Sequence, residues 1–408
     1  MTVDPIRDPV PDAVRTPGSA LERVRRTNLA RVLRLVHEDG TTARSALTRT
    51  TGLNRSTVGA LVGELVRLGL VVEGEPVASS AVGRPSPTVT ASPDVVAFTA
   101  NPEIDALTVA VVGLDGTEHA RVRHRVDAVP TPAEASARLA AIVAELRDGL
   151  PSTTRVAGLG VAVPGIVRAD DGLVRNAPHL GWRDEPFAAR LAAATGLRVS
   201  AANDANLGVR AEQLHGSARG RRHVVYVNGG ASGIGGGLVV DGRALGGRDG
   251  HAGELGHTFV DGDERPCHCG STGCLETVVA QSLLLDAAGL GPTDADLLQE
   301  ALVAPAPALA AEVDRQLRFL ARALRDVVLT TDPELVVLGG FLGALHEVAG
   351  ERLEALVAAQ TRVVRDGVAV TRTRLGPAIL LRGAAELVFE PLLADPVGEA
   401  DALVLARG

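Results

Sequence analysis

The stretch from Gly250 to Glu276, GHAGELGHTFVDGDERPCHCGSTGCLE, holds all three cysteines of the chain within eight residues. Thiols packed so closely exclude a disulfide framework and point to a metal. Cys267-X-Cys269-X4-Cys274 supplies three thiolates, with Gly270 and Gly273 allowing tight turns. Zinc takes four nitrogen or sulfur ligands in a tetrahedron. Two histidines compete for the fourth place. His268 stands between two cysteines, where adjacent side chains point in different directions. His257 lies ten residues before Cys267, far enough for the chain to turn and close the site.

Upstream, three further motifs come in order. Pro164-Gly165 ends an apolar run in GLGVAVPGIV, and Asn203-Asp204-Ala205-Asn206 follows a short apolar strand. A glycine-rich loop then runs from Gly229 to Gly237 between two strand-like runs. Apolar runs at Val109–Gly113, Val156–Val163, His223–Asn228, Gly237–Val240 and Leu335–Leu338 read as strands. Ala-rich stretches at Pro132–Leu150, Ala280–Gly289, Pro307–Thr330 and Gly383–Leu393 read as helices. Such alternation predicts an α/β body with mixed sheets over 94–408.

Taken together, the four motifs resemble the ROK (repressor, open reading frame, kinase) family. The resemblance implies an actin- and hexokinase-like body of two α/β lobes, divided near residue 204, with sugar bound in the cleft between them. It places the fourth ligand at His257, giving a closed, structural zinc site of His257, Cys267, Cys269 and Cys274. It also implies sugar contacts at Asn203, Asp204, Glu254, His257 and Glu276. Short acids and amides suit a ligand rich in hydroxyls. His257 is then shared, with one ring nitrogen on zinc and the other turned to a hydroxyl. In kinase members the residue matching Asp204 is the base that takes the sugar hydroxyl proton. One departure concerns specificity: His179 in APHLGW stands where many members have Asn.

Ahead of the body, Leu21 to Glu38 carries Leu21, Val24, Leu29, Val32, Leu33 and Val36 at the spacing of a buried helical stripe. Gly40 closes it, Thr42 is expected to cap a short helix over Ala43–Thr50, and Gly52 makes a tight turn. Asn54 caps a third helix, Arg55–Leu68. Helix, short helix, Gly turn, helix is the helix-turn-helix order. Gly69-Leu70-Val71-Val72 and the turn after it begin a wing. The predicted winged helix-turn-helix spans 21–78, between a disordered leader (1–20) and a Ser/Pro-rich tether (79–93). Asn54, Arg55, Ser56 and Thr57 are the expected DNA contacts, donors and acceptors suited to phosphates and base edges. The stretch TGLNRSTVGALVGELVRLGLV resembles the heads of bacterial repressors.

Charge supports that division. The 408 residues carry a net charge of -8, yet Arg15 to Arg55 holds nine arginines against three carboxylates. A basic head on an acidic protein is what a polyanion partner requires. The chain has no lysine, which excludes a Walker-type P-loop lysine, a Schiff base and a Ser-Lys pair. No apolar run reaches the roughly 18 residues of a membrane span. The polar N-terminus lacks the apolar core of a secretory signal, so a cytoplasmic protein is expected.

The cleft alone does not separate catalysis from sensing. Kinase members carry D-X-G-G-T in the first hairpin of the body, where glycines let backbone N–H groups reach phosphate. The matching segment here is Asn101-Pro102-Glu103-Ile104-Asp105, and no glycine occurs between Arg84 and Val112. Pro102 removes a donor and Glu103 brings negative charge toward a phosphate. Ala231-Ser232-Gly233 keeps only part of the second phosphate loop. The expected protein is therefore not an enzyme. It is a sugar-responsive repressor, a homodimer or tetramer with paired heads on a two-fold operator. An ATP-dependent sugar kinase with an accessory head is the alternative.

Overall fold

The computed structural model describes residues 20–75, 86–168, 170–248, 251–260, 265–362, 364 and 367–407. The expected leader, up to residue 19, and the tether from 79 to 85 lie outside them.

Three helices form the head: α1 (Ala20–Asp39), α2 (Arg44–Thr51) and α3 (Arg55–Arg67). Leu29, Val32, Leu33 and Val36 of α1 are fully buried, whereas Leu21 and Val24 are 80% and 58% exposed. The predicted stripe therefore starts two turns late. At that end α1 makes ion pairs, Arg25 to Glu22 and Glu64 and Arg26 to Asp395. Thr42 does not cap α2. Thr42–Ala43 is a short strand, β1, and the N-cap position falls on Ala43, which has no side-chain acceptor. β2 (Val71–Gly74) and β3 (Thr88–Ala91) complete a sheet ordered β1-β3-β2. The second wing strand thus lies inside the stretch expected to be a tether. Val89 and Ala91 turn inward there, so four residues bury enough to hold a ladder.

The body begins with β4 (Val95–Pro102), β5 (Ala106–Gly113), β6 (Glu118–Arg125), α4 (Pro132–Gly149) and β7 (Arg155–Val163). A small sheet of β8 (Ile166–Val167), β9 (Val174–Ala177) and β10 (Trp182–Glu185) follows, then α5 (Phe187–Thr195) and β11 (Val199–Asn203). The main sheet runs β11-β7-β4-β5-β6. The second lobe opens with α6 (Asp204–His215), β12 (Val224–Gly230), β13 (Gly233–Val240) and β14 (Arg243–Ala244). Its helices α7 (Leu275–Val278), α8 (Gln281–Ala288), α9 (Leu298–Val303) and α10 (Pro307–Thr331) precede β15 (Leu335–Gly339), α11 (Gly340–Thr361) and β16 (Ala369–Arg372). This sheet runs β14-β13-β12-β15-β16. Both sheets have one plan: an antiparallel three-strand meander followed by two parallel strands.

α12 (Ile379–Ala394) crosses back, and β17 (Val404–Leu405) pairs with β7 of the first lobe. α12 packs on α6, β7, β4 and α1. It fits closely: a Cβ on Gly383 would run into the Leu207 carbonyl of α6, and one on Gly160 of β7 into the Ala384 carbonyl. Leu33, Val36 and Leu65 of the head share one apolar cluster with Leu114, Leu381, Ala385 and Phe389 of the body. Head and body therefore fold onto a common core. No described helix is long and apolar enough to cross a membrane.

Candidate functional site

The site forms where β7, β11 and the β12–β13 hairpin end. Asn203, last in β11, caps α6 by accepting from the Asn206 amide at 2.9 Å. Its Nδ2 donates to the Gly165 carbonyl at 3.0 Å, tying the Pro164-Gly165 loop to the start of α6. That geometry makes Asn203 a support for the pocket wall. Asp204 follows, with Oδ1 accepting from the Ala205 amide at 2.7 Å. Burial pushes its carboxyl up to about 7, and the nearby Glu254 charge adds to the rise.

Glycines seat the hairpin against these residues. A Cβ on Gly235 would lie 2.9 Å from the Ala205 Cβ, and one on Gly233 would lie 2.5 Å from Glu276 Oε2. Gly256 likewise lets the Glu254–His257 segment pass directly over the Ile234 carbonyl. Asn203, Asp204, Glu254, His257 and Glu276 consequently meet around one cavity of about 290 Å³.

Behind that wall, His257, Cys267, Cys269 and Cys274 bring their donor atoms within 4.8 Å of one another. His257 Nδ1 lies 3.6 Å from Cys267 Sγ, and Cys269 Sγ lies 3.7 Å from Cys274 Sγ. Burial pushes the Cys267 and Cys274 thiols up, so ionising them at this position calls for a cation. The donor set fits a tetrahedral metal. Nε2 of His257 faces the other way, 3.9 Å from Glu254 Oε2 at the cavity. His268 Nδ1 lies 3.0 Å from Glu276 Oε1, and His257, Cys267, His268 and Glu276 form a second, overlapping donor group.

Two wall residues had no such role in the sequence reading. Glu103, in the β4–β5 turn, lines this cavity and also a second one of about 430 Å³ that opens between the two hairpins. Burial, then Asp105, pushes its carboxyl up to about 7, with Asp204 adding and Arg123 opposing. Asn228 on β12 likewise lines both. A carboxylate in the one glycine-free hairpin turn was the available signal for Glu103; Asn228 gave none. His179 lies against the His268 ring, centroids 4.2 Å apart, and its Nε2 is buried without a hydrogen-bond partner among the described residues.

On the head, Asn54, Arg55 and Ser56 are exposed at the start of α3 and Thr57 is half-buried. Asn54 Oδ1 accepts from the Thr57 amide and from Ser56 Oγ, both at 2.8 Å, so it is occupied as a cap. Much of the basic skew is also engaged internally. Arg25, Arg26, Arg34 and Arg44 sit in ion pairs, and Arg31 donates to the Thr50 and Thr51 carbonyls. Arg49 and Arg55 are exposed.

Two lobes of one plan closing on a polar cleft, under a winged three-helix head, define an actin- and hexokinase-like body with an added N-terminal module. The ROK family profile matches residues 104–390, and the chain belongs to that family. It is 33% identical to a glucokinase of Halalkalibacterium halodurans over 46% of this chain, spanning 62% of that protein. It is 26% identical to the xylose repressor of Caldicellulosiruptor bescii over 64% of this chain and 66% of that protein. A solved ROK family transcriptional regulator, a homologue of the E. coli MLC protein, superposes with a TM-score of 0.71 at 24% identity. That fold likeness covers 91% of this chain and 97% of the other, head included.

Proposed function

We propose that this chain is a sugar-responsive, DNA-binding transcriptional regulator that does not transfer phosphate. The observation that carries the reading is the β4–β5 turn. Where a kinase needs glycine amides, this turn presents Glu103, whose charge adds to that of Asp204. A γ-phosphate there would meet a carboxyl in place of backbone N–H donors. The polar wall of Asp204, Glu254, His257 and Glu276 still offers acceptors and donors to sugar hydroxyls. The exposed start of α3 supplies Arg55, Ser56 and Thr57 to operator DNA, with Asn54 ordering the turn that holds them. Bound zinc would fix the loop from His257 to Cys274 as a closed structural site, and His257 would present Nε2 to the ligand. Two heads on a two-fold operator call for a homodimer or tetramer acting in the cytoplasm.

A panel of mono- and disaccharides should contain one that raises the melting temperature, with the shift abolished in Glu254→Ala while DNA binding persists. The glucokinase relatives and the cavity of about 430 Å³ beside Gly229 and Gly340 favour the rival, a sugar kinase with an accessory head. A coupled assay with ATP decides between them. Turnover of about 1 per second or more would overturn the regulator reading.

A further inference from the structure

α6 has two ends with different surroundings. Its first residue, Asp204, lines the sugar cavity, and its last, His215, reaches the seam between head and body. Twelve helical residues span about 18 Å as one stiff element. At the seam, α12 carries two carboxylates one helical turn apart, Glu386 and Glu390.

Each carboxylate is shared between head and body. Glu386 accepts from His37 Nε2 of α1 at 3.0 Å and from His215 Nε2 of α6 at 2.7 Å. Glu390 accepts from Arg34 of α1 at 2.7 Å and also pairs with Arg210 of α6. His37 donates from Nδ1 to the Leu114 carbonyl at 2.6 Å. Both its nitrogens therefore face acceptors only, so the ring carries both protons and a positive charge. These nitrogen–oxygen separations are hydrogen-bond lengths, shorter than the spacing of two ligands around one metal. His37 and Glu386 are buried, and Phe389 of α12 packs edge-on against the His37 ring.

We propose that this double clamp, Arg34–Glu390–Arg210 and His37–Glu386–His215, carries sugar occupancy from the cleft end of α6 to the DNA-binding head. The inference rests on the sugar-sensing reading above. A ligand that shifts or turns the start of α6 must move Arg210 and His215 with it. Gly383 of α12 lies directly on the Leu207 backbone, so little slack exists to absorb that motion. Buried charges tolerate misplacement poorly, because a displaced partner leaves its counter-charge uncompensated. α1 must then follow α6 or release it. Either response reorients α3, which packs on α1. The ligand drives the change only through unequal affinity for the two arrangements.

Hydrogen–deuterium exchange on the full chain reads both ends together, with D-glucose and D-xylose as probes. In the wild type, the sugar that slows exchange at 203–206 should change exchange across 30–39 by about fivefold, the lower range of ordinary coupling. In E386Q and E390Q the response at 203–206 should persist while that at 30–39 disappears. Glu390, with its side chain 38% exposed, is the safer site should E386Q fail to fold. A head response of wild-type size in a folded variant overturns the clamp. If neither sugar affects 203–206 in the wild type, sugar sensing fails for these probes, and Asp204→Asn replaces them as the perturbation. It should alter exchange at 30–39 in the wild-type background and not in E390Q; equal change in both overturns the clamp.

Discussion

The turn between β4 and β5 and the turn between β12 and β13 occupy the same station in two sheets of one plan, but they are made differently. The second is rich in glycine, and the α6 helix, the Glu254–His257 segment and Glu276 all press against its backbone. The first contains no glycine, begins after Pro102, and puts the half-buried Glu103 where the other keeps its surface bare. One hairpin is shaped for close approach and the other for exclusion. The two lobes thus offer the cleft unlike surfaces, a bare glycine backbone from one and a carboxyl from the other.

Substitution in the second half should have the largest effect. Gly340, with φ 58, sits at the end of β15 directly against the Gly229 carbonyl of the hairpin strand. Gly340→Ala adds both a backbone clash and left-handed strain, and should cost about 3–5 kcal/mol in denaturant unfolding. A loss below about 1 kcal/mol would mean the hairpin yields more readily than its packing implies. Next comes the Cys/His loop that rests on this hairpin. Cys274→Ser should remove one equivalent of zinc by elemental analysis and lower the melting temperature by about 5 °C; an unchanged metal content would sink the proposed ligand set.

The first hairpin should respond with the opposite sign. Glu103 and Asp204 are held at about 7 instead of 4.5 and 3.8. A raised acid binds its proton more readily in the folded state, so its contribution weakens as pH climbs from the ordinary value to about 7. Glu103→Gln should accordingly stabilise the protein at pH 8 by about 1–2 kcal/mol, allowing for solvent still reaching the side chain. Calorimetry should show that gain fading as pH falls below about 5; a gain independent of pH would assign it to packing. The smallest effect belongs to Ser232→Thr, which should alter stability by less than about 0.5 kcal/mol and yield no ATP turnover. Turnover in that variant would put the block in the wrong hairpin.

Much of this was legible in the sequence. Helices α1 and α3 followed from periodicity and caps, α4, α8, α10 and α12 from their Ala-rich texture, and the Cys/His loop and glycine hairpin from their motifs. What escaped depends on partners far away in the chain. Thr88–Ala91 is too short and polar to read as a strand until β2 and β1 lie on either side of it. The arginine skew looked like a DNA footprint, but Arg34 meets Glu390 across 356 positions. Leu21 and Val24 obeyed the helical period yet stay exposed among the described residues. Glu103 was legible as chemistry, but its place between two cavities was not.

The shared core of α1 and α12 also limits how such proteins can be recombined. A head excised at residue 75 would leave the face that meets Phe389 and Ala385 bare to water, and Arg155 would no longer hold the Leu68 carbonyl at 2.9 Å. A chimera carrying this head on another body should therefore keep the head folded only if the graft also brings the α12 surface. For retargeting, the transferable unit is the helix trio plus its seat, two segments separated by some three hundred residues of chain.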